Sequence, residues 1–312
     1  MKIKLLLIFL LCFASTSYGQ TDVDKLDSAA VTIKASQGQG SGSIIIKDVV
    51  VDSDGTIEKV AFCLTAAHVI QSHRSVRSVI ENGKDIKIIE FSDPGILQEL
   101  YSKGRRIGEL KLDAKVIRYS DADDGDDLAL LMLYARNKFD NSVEFIQDKE
   151  YIPNKGMRVI HIGSSNGQVG SNSFTAGNIS QTGRLLPNVG SGSGVIFDQT
   201  SAPAEPGSSG CMIVEEETGK YIGMLVRGGS STFNFVVPVR RMWKWAEKNN
   251  VEFILQDTYP PVILEEILKQ PIEIHTTLSS SNNSEHTHDD HNNFLFKYNK
   301  TIDTEDSFII NN

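Results

Sequence analysis

Pro206-Gly207-Ser208-Ser209-Gly210-Cys211 is the stretch whose reading decides the fold. Glycine and serine are the usual residues of tight turns, so alone it says only that the chain bends here. Two other stretches give it force. Leu64-Thr65-Ala66-Ala67-His68 lies far upstream, and Asp127-Leu128-Ala129-Leu130-Leu131 lies between them. A histidine, an acid and a serine, each in a distinctive local frame, make a candidate Ser-His-Asp triad in the chain order His68, Asp127, Ser209. A serine hydroxyl is a weak nucleophile at its own pKa; it needs a neighbouring base, and the base needs an orienting group. His161 and His73 compete with His68. His161 sits inside an apolar strand pattern, and His73 falls on the turn after His68, where an exposed position is expected.

The surrounding pattern is that of many short strands with glycine punctuation, which indicates a barrel or sandwich. Residues 26–34 alternate loosely as a first strand, and 38–42 read as a flexible turn. Strands are expected over 43–51 and 57–65, joined at Asp52-Ser53-Asp54-Gly55, which puts His68 just beyond a strand end on a short helical turn. A strand is expected over 86–91. Residues 96–110 carry a mixed helical pattern with Lys103, Arg105 and Arg106, and read as an inserted surface excursion. Strands over 111–119 and 128–133 flank an acidic loop at 120–127. A second set follows at 157–162, 173–181, 194–198, 210–215, 221–226 and 233–239, and then a helix to Asn249 whose apolar face is Met242, Trp243, Trp245 and Ala246. Pro260-Pro261 marks a break, 262–269 reads as one short helix, and 279–293 has almost no apolar residues.

Taken together, His68 in T-A-A-H, Asp127 in D-L-A-L-L and Ser209 in G-S-S-G resemble the chymotrypsin-like serine proteases, most nearly the bacterial HtrA-like and glutamyl-endopeptidase-like branches. Gly40-Ser41-Gly42-Ser43-Ile44-Ile45, the segment Gly156-Met157-Arg158-Val159-Ile160-His161-Ile162-Gly163, and Ile222-Gly223-Met224 fit the same pattern, so the resemblance covers residues 27–250. It favours Asp127 over its neighbour Asp126, because Asp127 directly precedes the apolar strand. It implies an all-β fold of two six-stranded antiparallel β-barrels, about 27–135 and about 150–240, with the site in the cleft between them and a C-terminal helix, all within a protease domain over 20–250. The backbone N–H groups of Gly207 and Ser209 become the expected oxyanion hole. Pro203, six residues before the nucleophile, falls at the base of the primary pocket, and Leu225, Val226, Arg227 and Gly228 fall on its wall. A small or medium apolar substrate side chain is expected there, with Arg227 favouring an acidic one as the alternative.

The common serine loop in that family is G-D/N-S-G-G-P; here Ser208, Cys211 and Met212 depart from it. The expectation is therefore a serine endopeptidase working through an acyl-enzyme. The alternative, supported by Cys211 and Met212, is a catalytically impaired binding module on the same fold.

Composition bounds the rest. A net charge of -9 argues against nucleic acid as the main partner and leaves protein or peptide substrates. Residues 1–19 read as a secretory signal peptide: Lys2 and Lys4, then an apolar run over 5–13, then Ser17-Tyr18-Gly19 before Gln20. The run is too short for a good membrane span, so a secreted or periplasmic protein without a membrane anchor is expected. Its oligomeric state is not legible. Cys63 and Cys211 remain after cleavage, either as a disulfide or as two buried thiols. No cofactor and no metal are expected at the site. The acidic loop lacks EF-hand spacing, and the cluster over 285–291 offers imidazole and carboxylate ligands in a stretch that reads as solvated linker. Residues 251–312 are expected to be a low-complexity, largely disordered extension.

Overall fold

The computed structural model describes residues 23–81, 84–102, 105–122, 126–134, 139–186 and 195–273. The expected signal peptide (1–19), the polar stretch 279–293 and its histidine cluster lie outside the described residues. The chain runs α1 (Val23–Ser28), β1 (Ala30–Ala35), β2 (Gly38–Val50), β3 (Ile57–Thr65), α2 (Ala67–Ile70), β4 (Arg74–Glu81), β5 (Lys84–Phe91), β6 (Gly95–Ser102), β7 (Arg105–Ser120) and β8 (Leu128–Leu133). It continues with β9 (Arg158–Gly163), β10 (Ser173–Leu186), β11 (Val195–Thr200), β12 (Met212–Glu215), β13 (Tyr221–Ser230), β14 (Phe233–Pro238), α3 (Val239–Lys248), β15 (Val262–Ile263) and α4 (Leu264–Lys269).

The second half closes into a six-stranded antiparallel barrel in the order β10-β11-β14-β13-β12-β9. Alternate residues of its strands face inward, as the period of a strand requires. Val159, Ile179, Cys211, Ile213 and Leu225 are buried in one cluster. The first half is a sheet in the order β1-β6-β7-β8-β3-β2-β15, in which β1 also pairs with β2. Its interior is built from Ile33, Ile44, Phe62, Leu64 and Leu130, all fully buried. β4 and β5 stand apart as a two-stranded ribbon.

Four local expectations are corrected. Residues 38–42 are the first part of β2, not a flexible turn; their glycines permit close approach, since a Cβ at Gly42 would lie 2.4 Å from Cys63 Sγ. Residues 96–110 are two strands: β6 and β7 pair from Gly95↔Asp113 to Ser102↔Arg105. This hairpin buries little of its far end, so its strands lack the alternating signature. The first turn of 26–34 is helical, in α1. Residues 262–269 open with the short strand β15, parallel to β2 at Val262↔Val49 and Ile263↔Val50, before α4 begins.

The segment after Val251, set aside by composition, is packed as far as Glu273. Val251, Phe253, Ile254 and Leu255 are buried, and Phe253 meets Phe62 edge to face at 5.5 Å. Arg118 of β7 is fully buried. It donates to the carbonyl oxygens of Asn249 and Ile267 and to Gln270 Oε1, and so ties the ends of α3 and α4 to the sheet.

α3 lies across both halves. Trp243 donates its indole N–H to Ile146 O at 3.2 Å and Trp245 to Ser120 Oγ at 2.7 Å. Arg240 makes a two-pronged pair with Asp198 of β11, at 2.8 and 2.6 Å, and Asp198 is only 3% exposed. Removing one partner strands a buried charge, which generally costs about 3–5 kcal/mol. Arg240→Met is therefore expected to lower stability by several kcal/mol in denaturant unfolding, and the double variant Arg240→Met/Asp198→Leu to recover much of the loss. An Arg240→Met protein as stable as the parent would contradict this.

Candidate active site

Three separate elements bring the site together. β3 ends at Thr65, and the short helix α2 that follows carries His68. β8 is uniformly buried and fixes the residue just before it, Asp127. Asp127 has φ 53°, in the left-handed region that aspartate tolerates better than most residues. The loop between β11 and β12 carries Ser209.

Asp127 is buried, with 2% of its side chain exposed. Its Oδ1 accepts the His68 backbone N–H at 3.0 Å, and its Oδ2 lies 2.8 Å from His68 Nδ1. A carboxylate there makes Nδ1 the protonated nitrogen of the ring and leaves the Nε2 lone pair available as a base. His68 and Ser209 line one cavity of about 440 Å³ with Gln37, Gln39, Val69 and Gln71. Asp126, the rival acid, turns instead toward Arg241, 3.8 Å away. Arg241 is partly buried against the Phe197 ring at 4.9 Å, and desolvation lowers its pKa to about 10.

The serine loop is held by hydrogen bonds on all sides. Pro206 O accepts Asn166 N–H at 2.7 Å, Gly207 O accepts Ser41 Oγ–H at 2.8 Å, Ser208 O accepts Cys211 N–H at 3.1 Å and Ser209 O accepts Ser41 N–H at 2.7 Å. Gly207 and Gly210 have φ of 97° and 89°, which favours glycine at both. Among the described residues, no protein acceptor takes the N–H of Gly207 or of Ser209. Ser41 and Asn166 carry no chemical signature of their own; the glycines flanking Ser41 were the one legible mark of its place.

The cavity against Ser209 includes none of the residues expected at the primary pocket. Leu225 and Val226 are 3% exposed, inside the barrel wall, while Pro203 and Gly228 are at the surface. A larger cavity of about 880 Å³ adjoins Gly207 and shares Gln39 with the first. Its walls are Glu99 and Arg106 of the β6–β7 hairpin and Asn166 and Gln168 of the C-terminal barrel. Gln168 donates to Glu109 Oε2 at 3.1 Å, linking that hairpin to the barrel. Nothing in the residue pattern of 95–120 announced this wall.

Cys63 and Cys211 are both free, buried thiols. Burial pushes the Cys63 pKa up to about 12 and that of Cys211 well above its ordinary value, so neither is poised to react. His73 is half-buried rather than exposed, with Nδ1 2.7 Å from Ser92 Oγ. Among the described residues no group of three His, Cys, Asp or Glu side chains is placed to hold a metal.

His161 is fully buried in the barrel. Thr175 Oγ1 donates to Pro203 O at 2.8 Å and accepts from His161 Nδ1–H at 2.8 Å, so Nε2 holds a lone pair that no described residue satisfies.

This arrangement defines the class of the protein. A closed β-barrel whose loop carries a serine, set beside a sheet that carries a histidine and its orienting carboxylate, is an arrangement met in serine proteases. The chain belongs to the trypsin-like peptidase domain family, which matches residues 40–224, more than half its length; it is a serine endopeptidase by that membership. Solved structures similar to it include Rv3671c from M. tuberculosis in an inactive form (16% identity over 73% of this chain and 90% of that one, TM-score 0.48). Deg5 is similar at 20% identity over 75% and 93%, TM-score 0.49. A serine endoprotease from Yersinia pestis is similar at 22% identity over 74% and 66%, TM-score 0.48. No curated protein matches the chain.

Burial lowers the His161 pKa from 6.5 to about 4. Between these values the unfolded chain binds more protons than the folded one, so stability rises with pH across that window and is lost as pH falls through it. The loss is on the order of 3 kcal/mol by pH 4. His161→Leu is expected to flatten the melting temperature against pH between about 6.5 and 4; an unchanged slope would show that other groups set it.

Proposed function

We propose that the chain is a secreted serine endopeptidase that cleaves peptide bonds through His68, Asp127 and Ser209 and an acyl-enzyme intermediate. The observation that carries this reading is the grip of Asp127 on both the backbone and the ring of His68, beside a cavity that His68 shares with Ser209. Ser209 Oγ attacks the scissile carbonyl and its proton passes to His68 Nε2. Asp127 keeps the imidazole in the required tautomer and stabilises the imidazolium. The N–H groups of Gly207 and Ser209 take the oxyanion, a role worth about 2.7–4 kcal/mol per donor. The imidazolium then gives its proton to the leaving amine. Water, deprotonated by the same histidine, releases the acid and restores the serine.

Two further points belong to this reading. The N-terminal sheet is the family's other six-stranded barrel, a view supported by the pairing of β1 with both β6 and β2. Residues 1–19 direct export, supported by the Lys2–Lys4 charge and the apolar run that follows. Against the binding-module alternative, Cys211 is taken into the barrel core and the loop ahead of it keeps its turn, with both glycines in the left-handed region.

A fluorophosphonate probe tests the reading. The mature protein should be labelled at Ser209, and Ser209→Ala and His68→Ala should not be. Asp127→Asn should lower kcat by about 10⁴-fold, through the wrong imidazole tautomer. A wild-type protein that takes no label would sink the proposal in favour of the binding module.

A further inference from the structure

We propose that Ser41 is a positioning residue for the oxyanion hole, so that the N-terminal sheet governs a loop that belongs to the C-terminal barrel. The inference rests on the reading of Gly207 and Ser209 as the oxyanion donors.

A peptide unit is planar, so its N–H can point at a developing oxyanion only while its C=O points the other way and stays there. The plane that carries the Gly207 N–H also carries Pro206 O, held by Asn166 N–H at 2.7 Å. The plane that carries the Ser209 N–H also carries Ser208 O, held by Cys211 N–H at 3.1 Å. Between these two planes, and just beyond them, lie the carbonyls of Gly207 and Ser209. Both are held by the same residue of β2: Gly207 O by Ser41 Oγ–H and Ser209 O by Ser41 N–H.

Ser41 is itself fixed. It is fully buried, and its own carbonyl accepts Thr65 Oγ1–H at 2.7 Å, from the end of β3 that leads to His68. Its hydroxyl oxygen accepts Ser164 N–H at 2.8 Å. Ser164 stands two residues before Asn166, the support of Pro206. One hydroxyl therefore joins the nucleophile loop to the very turn that holds the other side of the hole. The contact is close enough to exclude side chains: a Cβ at Gly210 would lie 2.2 Å from Ser41 O, and one at Gly40 would lie 3.1 Å from Ser209 O.

Loss of the hydroxyl leaves the buried Ser164 N–H without an acceptor and the Gly207 carbonyl without its donor. Glycine has several backbone minima of similar energy, so Gly207 is the residue about which an unheld loop turns. Turning it withdraws an oxyanion donor. Substrate binding in the ground state depends little on that donor, while the tetrahedral transition state depends on it strongly.

Ser41→Ala tests this, with a peptide ester or amide that the wild type turns over, a peptide boronic acid that mimics the tetrahedral state, and a non-covalent product peptide. A displaced donor should cost less than the 10²–10³-fold of a deleted one, so kcat is expected to fall by about 10–100-fold with KM within about two-fold. Boronic-acid affinity should fall in step with kcat, and product-peptide affinity should hold. If Ser41→Ala does not fold, Ser41→Cys fills the same space with a weak donor and carries the same expectation. A folded variant with wild-type kcat, or one in which kcat, KM and product affinity change together, overturns the inference and leaves the protease reading intact. A wild type that turns over no substrate and binds no boronic acid overturns both.

Discussion

A strand of one sheet can lie within hydrogen-bonding distance of a loop of another only where no side chain stands between them, and the rest of this structure depends on that approach. β2 reaches the serine loop through Gly40 and Ser41, and the loop receives it at Gly210. Here glycine is needed for its missing Cβ and, at Gly210, for its φ of 89° as well. The consequence is that Ser209, made by the C-terminal barrel, and His68 and Asp127, made by the N-terminal sheet, are referenced to a common backbone. The two halves of the site are registered by main-chain bonds that leave little room for sliding, as catalysis at a fixed geometry requires.

Buried polar groups follow the same logic elsewhere. Thr32 Oγ1 lies 2.6 Å from Ser164 Oγ and 2.8 Å from Ser171 Oγ, giving a hydroxyl cluster between the two halves. Arg240 with Asp198, and Arg118 with four acceptors, are ionic or charged groups that a core accepts only when their hydrogen-bonding capacity is met. Such contacts favour one arrangement of the elements over others that apolar packing alone would tolerate.

Much of the fold and the site was legible in the residues. T-A-A-H, D-L-A-L-L and G-S-S-G each carry a local frame, and β8 announced itself as six apolar residues bounded by an acidic loop. What was not legible has physical causes. The glycines at 38–42 have the composition of a turn, and what makes them strand is close approach by residues distant in sequence: Val69 and Ser209 at Gly40, and Cys63 at Gly42. The β6–β7 hairpin exposes both faces near its tip, so neither alternation nor a helical stripe constrains its residues. The packed segment 251–273 is buried through contacts with β2, β3 and β7, all distant in sequence. Ser41 and Asn166 act through a hydroxyl and a backbone N–H, neither of which any residue pattern advertises. The large cavity beside Gly207 is a property of four segments together and of none alone.

The short strand β15 closes on β2 across more than 200 residues, and Glu273 reaches Arg74 at 2.9 Å from a similar distance along the chain. The entire C-terminal barrel is threaded between these contacts. A nascent chain emerging from its N-terminus thus cannot finish the first sheet until the last segment has been made, however good its early strands are. High contact order of this kind makes folding slow and leaves the edge of β2 unpaired in the interim. The end of β2 at Val49 and Val50, and Arg74 at the start of β4, therefore gain their C-terminal partners only after the chain beyond the second barrel has been made.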